Sequence, residues 1–180
     1  MSKNTFLKVG QMAPDFTMDD ATGGRFALSD YKGKGSVVLV FLRYAGCPIC
    51  QLALADLKDA YDEFKARGAE VAAFVQSPPD TIKKSGDLSV FPFRLIPDPN
   101  ETIYKLYGVA GGSFFDMLHP QTVARGIQAV AHGHKQGKME GNQWQLPGDF
   151  IVDKEGVLKL ARVGKNLADN LPPQQLLTYL

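Results

Sequence analysis

The sequence predicts an α/β protein with a mixed central sheet flanked by helices, and three observations carry that expectation. Two apolar runs rich in β-branched residues, "GSVVLVFLRY" from Gly35 and "AEVAAFVQS" from Ala69, are continuous rather than alternating, as strands covered on both faces are. Between them Cys50, Leu54, Leu57, Tyr61 and Phe64 recur every three or four residues, one apolar helical stripe that closes at Gly68. Later, "GDFIVDKEGVLKLARVG" reads as two apolar strands around a turn from Asp153 to Gly156. The first two observations make Val37 to Val75 a βαβ unit with parallel strands, and the hairpin makes the sheet mixed.

Each element has a local cause. The strand from Gly35 runs into a tight turn, and Pro48 suits the first turn of the following helix, where a missing N–H removes no helical bond. After the second strand, "FPFRLIPDPN" reads as a short strand and a turn. "ETIYKLYGV" reads as a short helix with Ile103, Leu106 and Tyr107 inward. The stretch from Ala110 to Gln145 is glycine-rich, holds all three histidines and the only tryptophan, and is helical only weakly from Gln121 to Ala131. It is expected to be an insertion, about 110–146, before the last hairpin. "PPQQLLTYL" closes the chain as a helix entered through Pro172 and Pro173, with Leu176, Leu177 and Leu180 facing the sheet.

A length of 180 residues suits one domain, 1–180, with a well-buried core. The composition, 44% apolar and 22% charged, is that of a globular protein, and a net charge of +1 gives no general pull towards nucleic acid. The longest apolar run, Val37 to Leu42, is too short to span a membrane, and the first residues lack a secretory pattern. The expected address is cytoplasmic. In a reducing compartment two cysteines are catalytic or metal-binding rather than structural.

Both cysteines, Cys47 and Cys50, lie in "RYAGCPICQ" at the carboxyl end of a strand, where open α/β sheets place ligands. A thiol at a helix start faces unpaired N–H groups and the positive end of the dipole, which favour its thiolate. Cys47 takes the N-cap, Cys50 shares its helical face, and Arg43 is a cationic neighbour. Attack by one thiol and resolution by the other is then geometrically available. Zinc is the sharper rival: Cys47 and Cys50 with His132 and His134 would make four ligands. His119, before Pro120, reads as a loop residue.

The wider pattern resembles a known family. "FLKVGQMAPDFTMDDATGGRFALSDYKGKGSVVLVFLR" is similar to the opening of the AhpC/TSA peroxiredoxins, with an Ala13-Pro14 turn, a small hairpin, Leu28-Ser29-Asp30 and Gly33. "DPNETIYKLYGV" and "FIVDKEGVL" resemble later stretches of the same family. The resemblance implies a thioredoxin-like fold with an N-terminal β-hairpin. It also implies a peroxidase that reduces hydroperoxides through a Cys47–Cys50 dithiol/disulfide cycle, without metal or organic cofactor. An external thiol such as thioredoxin or glutathione would restore the dithiol, and a homodimer is compatible with the family.

Lining up the family's Pro-x-x-x-Thr-x-x-Cys motif on Cys50 puts Cys47 at the threonine and Arg43 at the proline. The family's arginine before the last hairpin falls on Pro147, which resembles instead the cis-proline of thioredoxin-type oxidoreductases. These departures mark a CxxC branch supported by Arg43, Tyr44, Pro48 and Pro147, and they favour Cys47 as the attacking thiol. They also keep open a reductase of protein disulfides or lipid endoperoxides, and a metal-binding or redox-sensing module without turnover. Phe114, Phe115 and Trp144, beside Arg125, Lys135 and Lys138, are expected to form an apolar substrate surface with a cationic rim, or else a packing or dimer-forming flap.

Overall fold

The computed structural model describes residues 7–85, 88–109 and 111–180. Strands β1 (Thr17–Asp19) and β2 (Arg25–Ala27) form the small N-terminal hairpin, and a 3-10 turn at Leu28–Tyr31 leads into β3 (Ser36–Phe41). Then come α1 (Pro48–Asp59), α2 (Tyr61–Ala66), β4 (Ala69–Val75), α3 (Pro79–Ser85), β5 (Arg94–Pro97) and α4 (Thr102–Leu106). The inserted stretch carries α5 (Phe114–Met117) and α6 (Pro120–Ala131), and β6 (Gly148–Val152), β7 (Leu158–Val163) and α7 (Pro173–Leu177) complete the chain.

The five-stranded sheet has the order β5-β4-β3-β6-β7. Strands β3 and β4 are parallel, from Ser36 beside Ala69 to Phe41 beside Phe74, and β6 runs antiparallel along the other side of β3. The central strand is therefore buried on both faces, which explains its unbroken apolar run. Val38, Val40 and Leu42 pack under Leu54, Leu57 and Phe64 of the α1–α2 layer, with Leu176 and Leu177 of α7. On the other face Phe41 stacks on Phe74 at 4.5 Å between ring centres, surrounded by Phe16, Tyr104, Tyr107 and Phe150.

The structure corrects two readings of the helices. The stripe from Cys50 to Phe64 is not one helix: Ala60, at φ −95° and ψ 1°, separates α1 from α2. Apolar periodicity survives the break because both helices lie on the same sheet face. In α4 the inward residues are Ile103, Tyr104 and Tyr107, whereas Leu106 is 42% exposed. Tyr104 wins the core position because its hydroxyl donates to the Leu42 carbonyl at 2.5 Å and the Phe74 carbonyl at 2.9 Å. These carbonyls end β3 and β4, so Tyr104 ties the two strand ends from which the thiol loop departs.

Replacing Tyr104 by Phe keeps the ring and strips the buried Leu42 carbonyl of its side-chain donor. The expected cost is about 1–3 kcal/mol. Urea unfolding should show a lower midpoint at an unchanged slope; an unchanged midpoint would mean the hydroxyl does not hold the strand ends.

Candidate active site

The thiol loop begins where β3 leaves the sheet. Gln76 N–H donates to the Arg43 carbonyl at 2.7 Å and Ala45 N–H to Ser77 Oγ at 2.9 Å, so the strand β4 extension holds the turn. Cys47 is the N-cap of α1 and Pro48 its first residue; Cys47 Sγ accepts the Cys50 N–H at 3.4 Å. Arg43 folds back over the turn, donating from Nη2 to Cys47 Sγ at 3.0 Å, while its own backbone N–H donates to Cys50 Sγ at 3.4 Å. Both cysteines are free thiols.

The two sulfurs are electrostatically unequal. Burial pushes the Cys50 thiol up, but the Cys47 S–H, the Arg43 guanidinium and the backbone N–H groups of Arg43 and Tyr44 outweigh it and bring Cys50 down to about 6. Burial pushes the Cys47 thiol well above the ordinary range, and its bond to Cys50 and the charge there push it further, against the pull of Arg43. Two anions in contact in a dry site repel, so one proton stays with the pair. It rests on Cys47, and the charge on Cys50.

This distribution of charge runs against the sequence-based preference for Cys47 as the attacking thiol. That preference rested on the family's missing threonine and arginine; in the structure both sulfurs are enclosed, Cys47 at 1% exposure and Cys50 at 3%. Both cysteines pack into the core at the start of α1, and the insertion crosses the turn that carries them. Gly137 N–H donates to the Gly46 carbonyl at 2.8 Å, and Gln136 Nε2 donates to that carbonyl at 3.2 Å and to the Tyr44 hydroxyl at 3.3 Å. Gln51 Nε2 reaches the Lys135 carbonyl at 3.4 Å and Arg43 Nη1 the Gln143 carbonyl at 3.3 Å. Residues 135–145 thus form a strap across the thiol loop. The approach is so close that a side chain at Gly46 would meet the Lys138 carbonyl at 2.6 Å.

Other expected residues fall out as follows. Tyr44 is buried against the strap, and Arg43 lies 5.9 Å from its ring centre. Pro147 is buried at the entrance to β6, with its carbonyl accepting Gly164 N–H at 2.8 Å. The described residues contain no cis peptide bond, so Pro147 is trans and the cis-proline expectation is corrected. Phe114 and Trp144 rings meet at 5.7 Å, and Phe115 is 78% exposed, so the aromatics do cluster at the surface. The cationic rim is dispersed: Arg125 pairs with Asp56 at 2.7 Å, while Lys135 and Lys138 line a cavity of about 610 Å³ beside Gly46. His132 is exposed, and no group of three or more His, Cys, Asp or Glu side chains among the described residues could hold a metal.

Sequence reasoning missed Gln76, Gln136 and the Gly46–Gly137 contact. Gln76 left a faint signal, an amide ending an apolar strand run; Gln136 left none, because its role depends on where the insertion folds.

Chloroplastic peroxiredoxin Q of Populus jackii is 31% identical over 161 residues, covering 88% of this chain and 62% of that protein. Alkyl hydroperoxide reductase E of Mycobacterium tuberculosis is 37% identical over 105 residues, 57% of this chain and 69% of that one. The crystal structure of peroxidoxin BcpB from Mycobacterium tuberculosis shares the fold, with a TM-score of 0.69 over 96% of both chains at 20% identity. The model of the AhpC/TSA family matches residues 9–161, which take in both sheets but for the last two residues of β7, and the chain therefore belongs to that family.

Proposed function

We propose that the protein is a thiol-dependent peroxidase in which Cys50 attacks the hydroperoxide and Cys47 resolves the product. The observation that carries this reading is the unequal pair: a Cys50 thiolate facing a Cys47 thiol that still holds its proton. Cys50 also stands where the family motif has its last cysteine.

The Cys50 thiolate displaces the peroxide O–O bond, forming an S–O bond and releasing an alkoxide. Cys47 is the nearest acid and gives that alkoxide its proton. Arg43 Nη2, 3.0 Å from Cys47 Sγ, stabilises the thiolate so formed. Cys47 then attacks the Cys50 sulfenic acid; the S–S bond forms and hydroxide leaves, becoming water with a solvent proton. An external thiol, thioredoxin or a small thiol such as glutathione, reduces the disulfide and closes the cycle. No step calls for a metal or organic cofactor. Both sulfurs are buried under the strap, so substrate and reductant enter when residues 135–145 lift.

A second reading follows from the same Arg43 contact. A guanidinium on Cys47 also suits attack by Cys47 on a disulfide substrate, with Cys50 resolving. The two readings part in single-cysteine variants. Cys50→Ser should abolish reaction with hydrogen peroxide. Cys47→Ser should consume one equivalent and stop at the sulfenic acid, detected by mass. Loss of peroxide reactivity in Cys47→Ser with retention in Cys50→Ser would make Cys47 the peroxide-attacking thiol, whereas a wild-type protein that reacts with a disulfide reagent through Cys47 and is inert to peroxide would favour disulfide reduction.

The pH profile tests the thiolate assignment. The thiolate is the nucleophile, so the peroxide rate should rise with pH through about 6 and then level off. Arg43→Met removes the guanidinium and should move that inflection up towards the ordinary thiol value. A full return to about 8.5 would cut the rate near neutral pH by roughly 30-fold, with the gap closing as pH rises. An inflection unmoved by Arg43→Met would show that the Cys47 S–H and the backbone donors set the Cys50 thiolate without the guanidinium.

A further inference from the structure

Among the described residues, three buried side-chain polar atoms have no hydrogen-bond partner: Arg43 Nε, Gln76 Nε2 and Glu140 Oε2. Buried donors without acceptors cost free energy, so native proteins keep few of them, and those kept call for a reason. All three lie at the junction of the strap and the thiol loop, and none is scattered through the core.

The two donors belong together. Gln76 N–H donates to the Arg43 carbonyl, which joins their backbones at the carboxyl ends of the two central parallel strands. Their side chains meet opposite ends of one dipeptide of the strap: Asn142 N–H donates to Gln76 Oε1 at 2.6 Å, and Arg43 Nη1 donates to the Gln143 carbonyl at 3.3 Å. The Asn142 bond fixes the amide orientation, because a backbone N–H requires the oxygen there, leaving Nε2 as the free donor. Arg43 in turn touches Cys47 Sγ and, through its backbone, Cys50 Sγ. Gln76 is 1% exposed and Arg43 8%, so neither donor is answered by bulk solvent.

We propose that Gln76 Nε2 and Arg43 Nε are the donor pair that holds the oxygens of the hydroperoxide during attack by Cys50. This rests on the peroxidase reading above and adds to it a residue, Gln76, outside the cysteine motif. As the O–O bond breaks, negative charge grows on the leaving oxygen. Donors fixed beforehand in a dry site stabilise that charge without having to reorganise. A disulfide substrate presents sulfur, a poor acceptor, so the pair confers preference for peroxide over disulfide. Glu140 is a different case: its Oε1 already accepts from Thr81 Oγ1 at 2.9 Å and pairs with Lys138 at 3.1 Å, which makes it a strap contact.

The test compares two oxidants on one set of proteins: stopped-flow oxidation by hydrogen peroxide and reaction with an aromatic disulfide reagent, with thiolate absorbance titrated alongside. Gln76→Met keeps the length and removes the free donor. Its peroxide rate should fall about 10- to 100-fold, while the disulfide rate and the thiolate titration stay within about twofold. Gln76→Glu keeps the Asn142 bond, guarding against a fold defect in the Met variant, and should show the same selective loss once its rate is divided by its thiolate fraction. An unchanged peroxide rate in both Gln76 variants, or equal losses with peroxide and disulfide, would overturn the donor role and leave the peroxidase reading standing. A wild-type protein inert to peroxide but active on the disulfide would overturn both.

Discussion

The constraint on which the site depends is the reversal of the chain between Arg43 and Cys47. A β-strand must become an α-helix within a few residues, and the helix start leaves N–H groups without internal partners. Here sulfur answers part of that need, because Cys47 Sγ accepts from Cys50 N–H. Cys50 Sγ accepts from the Arg43 N–H, which the strand has released. The same bonds that let the chain turn thus set partial positive charge beside both sulfurs. Structure and reactivity are coupled at this point: neither thiol can be ionised or oxidised without altering the donors that shape the turn.

Burial amplifies this coupling. In water, a guanidinium beside a thiol would shift its ionisation little; under the strap, the same charge acts through a medium of lower effective dielectric constant. Enclosure also opposes ionisation, and burial is the largest influence on either sulfur. The outcome is decided by the donors each sulfur faces and by the charge on its neighbour. Cys50 has two backbone N–H groups and the Cys47 S–H, and it goes down to about 6, whereas Cys47 goes up.

The sequence made the scaffold legible because the scaffold is periodic. Continuous apolar runs marked β3 and β4, the Asp153 turn marked the last hairpin, and Pro48 and Pro173 marked helix starts that the structure places at those residues. What escaped has one physical character: it depends on which of two apolar residues finds a polar partner, or on contacts between distant segments. Leu106 and Tyr104 both fit an inner helical face, and only the strand-end carbonyls above Tyr104 choose between them. The break at Ala60 is invisible to periodicity because α1 and α2 share one apolar surface. Which sulfur holds the proton could not be read from a motif, since every group that decides it lies on a folded turn or under a strap formed some 90 residues later.

Arg43 shows why a family motif can lose its named residues and still retain a coherent site. The position that the family gives to proline here supplies the cation, and the position that it gives to threonine supplies an S–H in place of an O–H. Both replacements act on the same atoms. The Cys47 S–H donates to the Cys50 thiolate, as a hydroxyl would, but unlike a hydroxyl it can afterwards form a bond to that sulfur. Arg43 lowers the cost of that second role by touching the sulfur that must become anionic. One substitution without the other would be a poor exchange: a buried thiol without the cation would resist ionising, and a buried guanidinium without a polarisable partner would be left under-satisfied. The pair reads as a single exchange, in which a donor that can only assist attack is replaced by one that is also able to form a bond to Cys50.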